Sequence, residues 1–224
     1  MDWNKHFYIN LDIRKDRNAE CITELKKLGI KKPNRFSAIV DDIPLIGCAK
    51  SHIACLEKAK SLGWDYVLIF EDDIKIESKK KCLEKVNKYI KQDFWDVLYL
   101  GCWNVKPPIV KNDIAKVVKA WTTHAYIIKS HYYDKLIQNY KEGIELKKQF
   151  YKKHNLNCKS DKDPFYNIDE YLGKLQEVDN WYCLVPIFIT QKDGFSDNFN
   201  QIRNLSNMIK HILNHRYASL NKLC

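Results

Sequence analysis

The sequence lacks the features that mark several protein classes. No segment of the 224 residues approaches the roughly 18 consecutive apolar residues of a membrane-spanning helix. The opening residues, MDWNKHFYIN, lack the apolar core of a secretory signal peptide. No internal repeat, low-complexity tract or linker interrupts the chain. We therefore expect one soluble domain, residues 1–224, that is not secreted.

The eight cysteines form no C-x-x-C pair, which argues against a zinc ribbon or a thioredoxin motif. With no secretory signal, we expect reduced thiols in a cytosol-like compartment, several of them packed in the core. The Lys-, Asn- and Ile-rich composition suits an AT-rich bacterium or a large virus. The expected location is therefore the bacterial cytoplasm or the cytoplasm of a virus-infected host.

Positive charge exceeds negative charge, with 38 Lys and Arg against 28 Asp and Glu, a formal net charge of +10. Such a balance favours anionic partners. The lysines are spread along the chain, so a solvated basic surface is the simpler interpretation, and no nucleic-acid partner is expected. Peripheral contact with an anionic membrane is compatible with this charge, although no amphipathic anchor indicates it.

Strand-like and helix-like segments alternate, which predicts an α/β fold with a mostly parallel central sheet flanked by helices. The predicted strands are 6–11, 35–40, 66–70, 95–101, 116–129 (one bent strand or two) and 181–190, interrupted at Pro186. The predicted helices are 17–28, 47–62, 78–90, 167–176 and an amphipathic helix at 198–214; residues 141–163 are expected to form a helix and a mobile loop.

The segment VLIFEDDIKI, residues 67–76, runs from a buried strand directly into Glu71, Asp72 and Asp73. The carboxyl edge of a parallel sheet is where open α/β folds bind ligands. Alternation along an extended chain would place Glu71 and Asp73 on one side and Asp72 on the other. A divalent cation with oxygen ligands suits this cluster, but a solvated turn or an acidic helix start explains it equally well.

Seven segments, in order, resemble glycosyltransferase family 25. They are FYINLDIRKDR (7–17), GCAKSHIACLEKA (47–59), VLIFEDDI (67–74), VLYLG (97–101), THAYII (123–128), IDEYL (168–172) and QKDGFSDN (191–198). The family includes lipooligosaccharide galactosyltransferases of lipopolysaccharide synthesis and enzymes of collagen glycosylation. The resemblance implies a GT-A-like, Rossmann-type fold that transfers galactose or glucose, with inversion, from a UDP-sugar to a glycan, a lipid-linked acceptor or a hydroxylysine.

The resemblance also implies a metal site for Mn²⁺ (or Mg²⁺) that stabilises the charge developing on the leaving diphosphate. Asp73 is the expected direct ligand, with Asp72 on the ribose or on a metal-bound water and Gln191, or alternatively Asp193, as a late ligand. The residues expected to bind the donor are Asn10, Leu11, Arg14, Arg17, Gly47, Ser51, His52, Glu71, Asp72, Thr123, Tyr126, Ser196 and Asp197.

An inverting transfer needs a general base for the acceptor hydroxyl. Asp169 and Glu170 of the IDEYL segment are the candidates, with Asp169 ranked first; each could instead be an acidic first helical turn. Two other classes remain open. A metal-dependent phosphohydrolase or nuclease would also need a carboxylate cluster, although Asp12 fits its first-strand nucleophile poorly. The third is a catalytically idle, carbohydrate-binding GT-A-like domain.

Overall fold

A computed structural model describes residues 1–106, 108–156, 168–197 and 201–203. Its elements are β1 (His6–Asn10), α1 (Lys15–Lys27), β2 (Arg35–Ser37), α2 (Pro44–Ser61), β3 (Tyr66–Glu71), β4 (Ile74–Ile76), α3 (Lys79–Tyr89), β5 (Val97–Lys106), β6 (Ile109–Lys111), β7 (Ile114–Lys116), β8 (Lys119–Lys129), a 3-10 turn (Ser130–Tyr132), α4 (Tyr133–Lys153), α5 (Ile168–Val178), β9 (Trp181–Leu184), β10 (Ile189–Gln191), β11 (Gly194–Ser196) and β12 (Gln201–Arg203).

The main sheet has eight strands in the order β2-β1-β3-β8-β5-β9-β7-β6. Six of the eight run in one direction, and β8 and β7 run against them. β4 pairs with β10, and β11 with β12, in two small antiparallel sheets. The predicted α/β class with a mostly parallel sheet is therefore confirmed, with the difference that an antiparallel strand, β8, lies at the centre.

The two faces of the sheet carry separate apolar cores. Helices α2, α4 and α5 pack on one face, and α1 and α3 on the other. Strand β3 shows the division clearly, since Val67 and Ile69 belong to the first core and Leu68 and Phe70 to the second. A strand covered on both sides has no polar face, as the sequence predicted.

Helix α2 begins at Pro44, three residues before the predicted start. Proline suits the first helical turn because its missing N–H has no partner there. Gly63, with φ +65°, ends the helix, as predicted. Ser51 and His52 consequently lie within the helix, where their backbone N–H groups are not the free donors found at a helix start.

The C-terminal segment differs from the prediction. Residues 201–203 form strand β12, so the helix predicted at 198–214 is wrong there, and the rest of that range lies outside the described residues. Residues 157–163 of the segment 141–163, predicted as a helix and a loop, also lie outside the described residues. Segment 116–129 is two strands, β7 ending at Lys116 and β8 starting at Lys119.

Six described cysteines are free thiols and five of these are buried, which confirms the predicted core packing. No helix within the described ranges is long and apolar enough to cross a membrane.

Candidate functional site

A cleft of about 510 Å³ lies at the carboxyl edge of β1 and β3. The register of the parallel pair sets Ile9 beside Glu71, so that the residues following each strand meet at this edge. Strand β8 runs the other way, and its early residues therefore reach the same edge. The cleft is lined by these predicted residues: Asn10, Leu11, Arg17, Ser51, His52, Glu71, Asp72, Asp73, Thr123, Asp169, Gln191, Ser196 and Asp197.

The three consecutive carboxylates all line this cleft. The chain turns after Glu71, so the alternation of an extended strand ends there. The expectation that Asp72 points away from Glu71 and Asp73 is therefore wrong. Each carboxylate instead has its own set of neighbours, and these neighbours give the three groups different properties.

Asp72 is held by two long-range hydrogen bonds. Asn10 Nδ2 donates to one carboxylate oxygen at 2.7 Å, and Arg17 Nη1 donates to the other at 2.9 Å. Burial raises the pKa of Asp72, although Arg17 acts against the shift. Arg17 also donates to the backbone oxygen of Phe195 at 2.6 Å. Asp72 therefore anchors β1, α1 and the β11 segment around the cleft.

Asp73 is the least compensated of the three carboxylates. Gln191 Nε2 donates to its Oδ2 at 3.1 Å, while Oδ1 is buried without a hydrogen-bond partner. Burial, together with the negative charges of Glu71 and Asp72, raises the pKa of Asp73 to about 7. An unpaired buried carboxylate oxygen is costly unless a proton or a cation compensates it.

Strand β10 brings Gln191 to this position. β10 pairs with β4, with Gln191 opposite Ile74, and the backbone N–H of Lys192 donates to the Asp73 carbonyl oxygen at 2.7 Å. The amide of Gln191 adds an oxygen of the kind that Mg²⁺ and Mn²⁺ accept. The residues present therefore fit a hard divalent cation at Asp73.

Glu71 lies on the α2 side of the cleft. Thr123 Oγ1 donates to Glu71 Oε1 at 2.6 Å, and His52 Nε2 lies 3.7 Å from the same oxygen. Burial raises the pKa of Glu71, but His52 and Thr123 more than offset this and leave it below its usual value. Glu71 is therefore the charged member of the cluster that opposes ionisation of Asp73.

The two candidate bases separate in the structure. Asp169 lines the cleft at the start of α5 and accepts a hydrogen bond of 3.3 Å from the backbone N–H of Thr122. Burial raises the pKa of Asp169. Thr122 has φ 70°, which is strained for a β-branched residue. Glu170 does not line the cleft and pairs with Lys119 at 2.8 Å.

Three other predicted donor-site residues lie behind the cleft wall. Tyr126 is buried and hydrogen-bonded to His52 Nδ1 at 2.7 Å. A Cβ on Gly47 would meet the Ile39 backbone oxygen at 2.5 Å, so this glycine permits a close backbone approach and does not reach the cleft. Arg14 pairs with Asp16 and, at 2.5 Å, with Asp197. It thereby ties the start of α1 to the segment after β11.

Sequence reasoning missed several lining residues. Cys48 precedes His52 by one helical turn, a spacing visible in GCAKSH. Ile13 and Val40 line the cleft yet are 82% and 79% exposed. Lys192, next to Gln191, also lines the cleft and contributes a positive charge. Only the i, i+4 spacing of Cys48 and His52 carried a readable signal.

Several solved structures are similar to most of the chain. A glycosyltransferase involved in glycosylation of the major capsid of PBCV-1 is 7% identical, covers 92% of this chain and 97% of its own, and has a TM-score of 0.43. A Drosophila β1,4-galactosyltransferase 7 complex with manganese, UDP-Gal and xylobiose is 7% identical, with 92% and 78% covered and a TM-score of 0.48. The glycosyltransferase GlyE of Streptococcus pneumoniae TIGR4 is 10% identical, with 97% and 62% covered and a TM-score of 0.45.

Because these TM-scores lie below 0.5, we draw no chemistry from the three likenesses. No curated protein matches the chain. The family model described as glycosyltransferase family 25 (LPS biosynthesis protein) matches residues 43–107, which include α2, the carboxylate cluster and β5 up to its end. The resemblance to glycosyltransferase family 25 is thus confirmed over residues 43–107, and this match identifies the chain as a glycosyltransferase.

Proposed function

We propose that the chain is a metal-dependent, inverting glycosyltransferase that moves galactose or glucose from a UDP-sugar to a hydroxyl acceptor. The observation that carries the proposal is the buried, unpartnered Oδ1 of Asp73 beside two further carboxylates in a cleft of about 510 Å³. A cation there would remove the repulsion within the cluster, and it would make the cleft receptive to a diphosphate.

Asp73 and Gln191 would hold Mn²⁺ or Mg²⁺, with Asp72 next to them. The bound cation stabilises the negative charge that develops on the leaving nucleoside diphosphate. Because both oxygens of Asp72 already accept hydrogen bonds from Asn10 and Arg17, this residue is better suited to organising the donor pocket than to direct ligation.

Asp169 would take the proton of the attacking hydroxyl. It lines the cleft and its pKa is raised by burial, which brings a carboxylate closer to the basicity that proton abstraction needs. Its hydrogen bond from the Thr122 N–H fixes its position. Glu170 lacks both properties, since it lies outside the cleft and pairs with Lys119.

Donor binding would use the side of the cleft that Arg17, Ser196 and Asp197 line. The positive charge of Arg17 lies beside Asp72 at the point where β1 and β3 end. Ser196 and Asp197 line the cleft next to Arg17, which donates to the backbone oxygen of Phe195, and Arg14 holds Asp197 in place. The acceptor would be a glycan, a lipid-linked glycan or a hydroxylysine, and a peripheral membrane contact would suit a lipid-linked one.

A screen of UDP-sugars for Mn²⁺-dependent UDP release, with a chelator control, tests the proposal. Release of UDP from UDP-galactose or UDP-glucose, lost in chelator and restored by Mn²⁺, is the expected result. Release of inorganic phosphate or cleavage of DNA would instead support the phosphohydrolase or nuclease alternative. Donor binding without turnover across a panel of hydroxyl acceptors would support an idle carbohydrate-binding domain.

A further inference from the structure

Three side chains of different metal-binding types meet at the α2 side of the cleft. Cys48 and His52 are four residues apart on α2 and therefore share a helical face, and Glu71 ends β3. One ligand atom from each, a sulfur, an imidazole nitrogen and a carboxylate oxygen, lies within 4.8 Å of the others. All three residues line the cleft.

The imidazole of His52 supplies an independent indication of a ligand. The side chain is fully buried, and its Nδ1 lies 2.7 Å from the Tyr126 hydroxyl. Its Nε2 has no hydrogen-bond partner, and the nearest carboxylate oxygen, Glu71 Oε1, is 3.7 Å away. That distance is too long for a hydrogen bond. A buried polar nitrogen without a partner is energetically unfavourable unless a ligand compensates it.

The separation of these two atoms suits a shared cation. Zinc binds imidazole nitrogen at about 2.0–2.1 Å and carboxylate oxygen at about 2.0–2.2 Å, so two ligands of one tetrahedral ion lie about 3.4 Å apart. The observed 3.7 Å needs an adjustment of only a few tenths of an ångström. The sulfur of Cys48 lies within 4.8 Å of both atoms and would have to move closer on binding.

Hydrogen bonds already orient the two buried ligands. The Tyr126 hydroxyl is hydrogen-bonded to His52 Nδ1 and lies 3.1 Å from the Tyr140 hydroxyl. Thr123 donates a hydrogen bond of 2.6 Å to Glu71. Metal-binding histidines and carboxylates are generally fixed by such outer contacts. The unpaired Nε2 is thus held in place facing Glu71.

We propose that Cys48, His52 and Glu71 form a binding site for a soft divalent cation, Zn²⁺ above all, distinct from the oxygen-ligand site at Asp73. Thiolate and imidazole ligands favour zinc, whereas Mn²⁺ and Mg²⁺ favour carboxylate, amide and water oxygen. Three protein ligands leave a fourth coordination position, which in zinc enzymes is taken by water or a substrate oxygen. The site does not depend on which sugar is transferred.

Cobalt substitution tests this proposal, because a thiolate bound to Co²⁺ gives a charge-transfer absorption that oxygen ligands do not give. We expect chelator-treated, reduced protein to bind one equivalent of Co²⁺ with this absorption. Zn²⁺ should displace the Co²⁺, and Mn²⁺ at the same concentration should not. Absence of the absorption in the wild-type protein, or its displacement by Mn²⁺, would overturn the proposal.

Variants locate the ligands. Cys48→Ala should abolish the charge-transfer absorption, whereas Cys82→Ala, which removes a buried thiol of α3 on the opposite face of the sheet, should retain it. Glu71→Gln keeps the side-chain shape; it should retain the absorption and weaken Zn²⁺ binding at least about tenfold, measured by competition with a chelator. Retention of the absorption in Cys48→Ala, or unchanged zinc affinity in Glu71→Gln, would exclude the site.

Asp73→Asn separates this site from the proposed function. The variant should keep the cobalt–thiolate absorption even where Mn²⁺-dependent UDP release is lost. Loss of the absorption together with unchanged folding, checked by circular dichroism, would show one shared metal site and refute two.

Discussion

Replacing Asp73 by Asn should stabilise the metal-free protein at neutral and alkaline pH. The pKa of Asp73 is raised from about 3.8 to about 7 by burial and by its carboxylate neighbours. Between about pH 4 and pH 7, the carboxyl group of Asp73 therefore keeps its proton in the folded protein but has lost it in the unfolded chain. Above this range, ionising Asp73 in the folded state costs free energy. Asn cannot ionise, so the variant avoids this cost.

The magnitude follows from the shift. About 3 pKa units correspond to about 4 kcal/mol, which is an upper bound because water in the cleft screens the charges. We expect Asp73→Asn to exceed the wild type by about 1–3 kcal/mol in free energy of unfolding at pH 8. The difference should vanish near pH 4, grow as the pH rises through the window from about 4 to about 7, and stay constant above it.

Urea unfolding in chelator at pH 4, 6 and 8 measures this difference. Asp12→Asn is a matched control, because hydrogen bonds from Arg35 and Ser37 lower the pKa of Asp12. A lowered pKa stabilises the fold above the unfolded-state value, so this variant should lose a little stability at high pH instead of gaining it.

Added Mn²⁺ should offset most or all of this difference in stability between the wild type and Asp73→Asn. A cation that binds only the folded wild type at a concentration of 100 times its Kd adds about 2.7 kcal/mol, and the Asn variant should gain far less. If Asp73→Asn were no more stable than the wild type at pH 8 without metal, the carboxylate would not be electrostatically strained and the proposed cation site would lose its basis.

Three further predictions concern the candidate bases, the Arg17–Asp72 pair and a glycine of β5. Asp169→Asn should lower kcat for transfer by about 10²–10⁴-fold and retain donor affinity, whereas the kcat of Glu170→Gln should stay within about threefold of the wild type. Equal losses of kcat in the two variants, measured by steady-state assays, would contradict the assignment of Asp169 as the base. Arg17→Ala leaves the buried Asp72 without its ion pair, so we expect the free energy of unfolding in urea to fall by about 3–5 kcal/mol. UDP binding, measured by calorimetry, should also weaken. An unchanged unfolding midpoint would contradict this prediction. Gly101→Ala should unfold at clearly lower urea concentration or fail to accumulate as soluble protein, because its Cβ would overlap the Ile189 backbone oxygen. A wild-type unfolding midpoint would refute that contact.

The sequence predicted the acidic edge of the sheet because its physical basis is local. Four apolar residues before Glu71 require a strand buried on both faces, and parallel pairing then places the end of that strand beside the end of β1. The hydrogen bond between Asn10 and Asp72 is a direct result of this register.

The sequence could not distinguish Asp169 from Glu170. Successive residues on a helix point about 100° apart, so only one of them faces the cleft, and which one depends on how α5 packs against β8. The pairing of Glu170 with Lys119 of β8 settles this orientation. Nothing in IDEYL carries that information.

The start of α2 and the segment near residue 202 show two kinds of error. Pro44 is a local signal for a helix start, and the prediction passed over it in favour of the glycine at 47. Apolar spacing between 198 and 214 predicted a helix, yet at residues 201–203 pairing with β11 overrides that pattern.

The position of β3 has a consequence for engineering. Its sheet neighbours are β1 on one side and β8 on the other, and both strands lie outside residues 43–107, the segment in which the family is recognised. A fragment trimmed to that segment would expose both hydrogen-bonding edges of β3, whose residues 67–70 are all apolar. Exposed strand edges of this kind promote aggregation. Residues 43–107 are therefore unsuited to being produced alone. A minimal functional fragment would have to retain β1 and extend beyond residue 129, the end of β8.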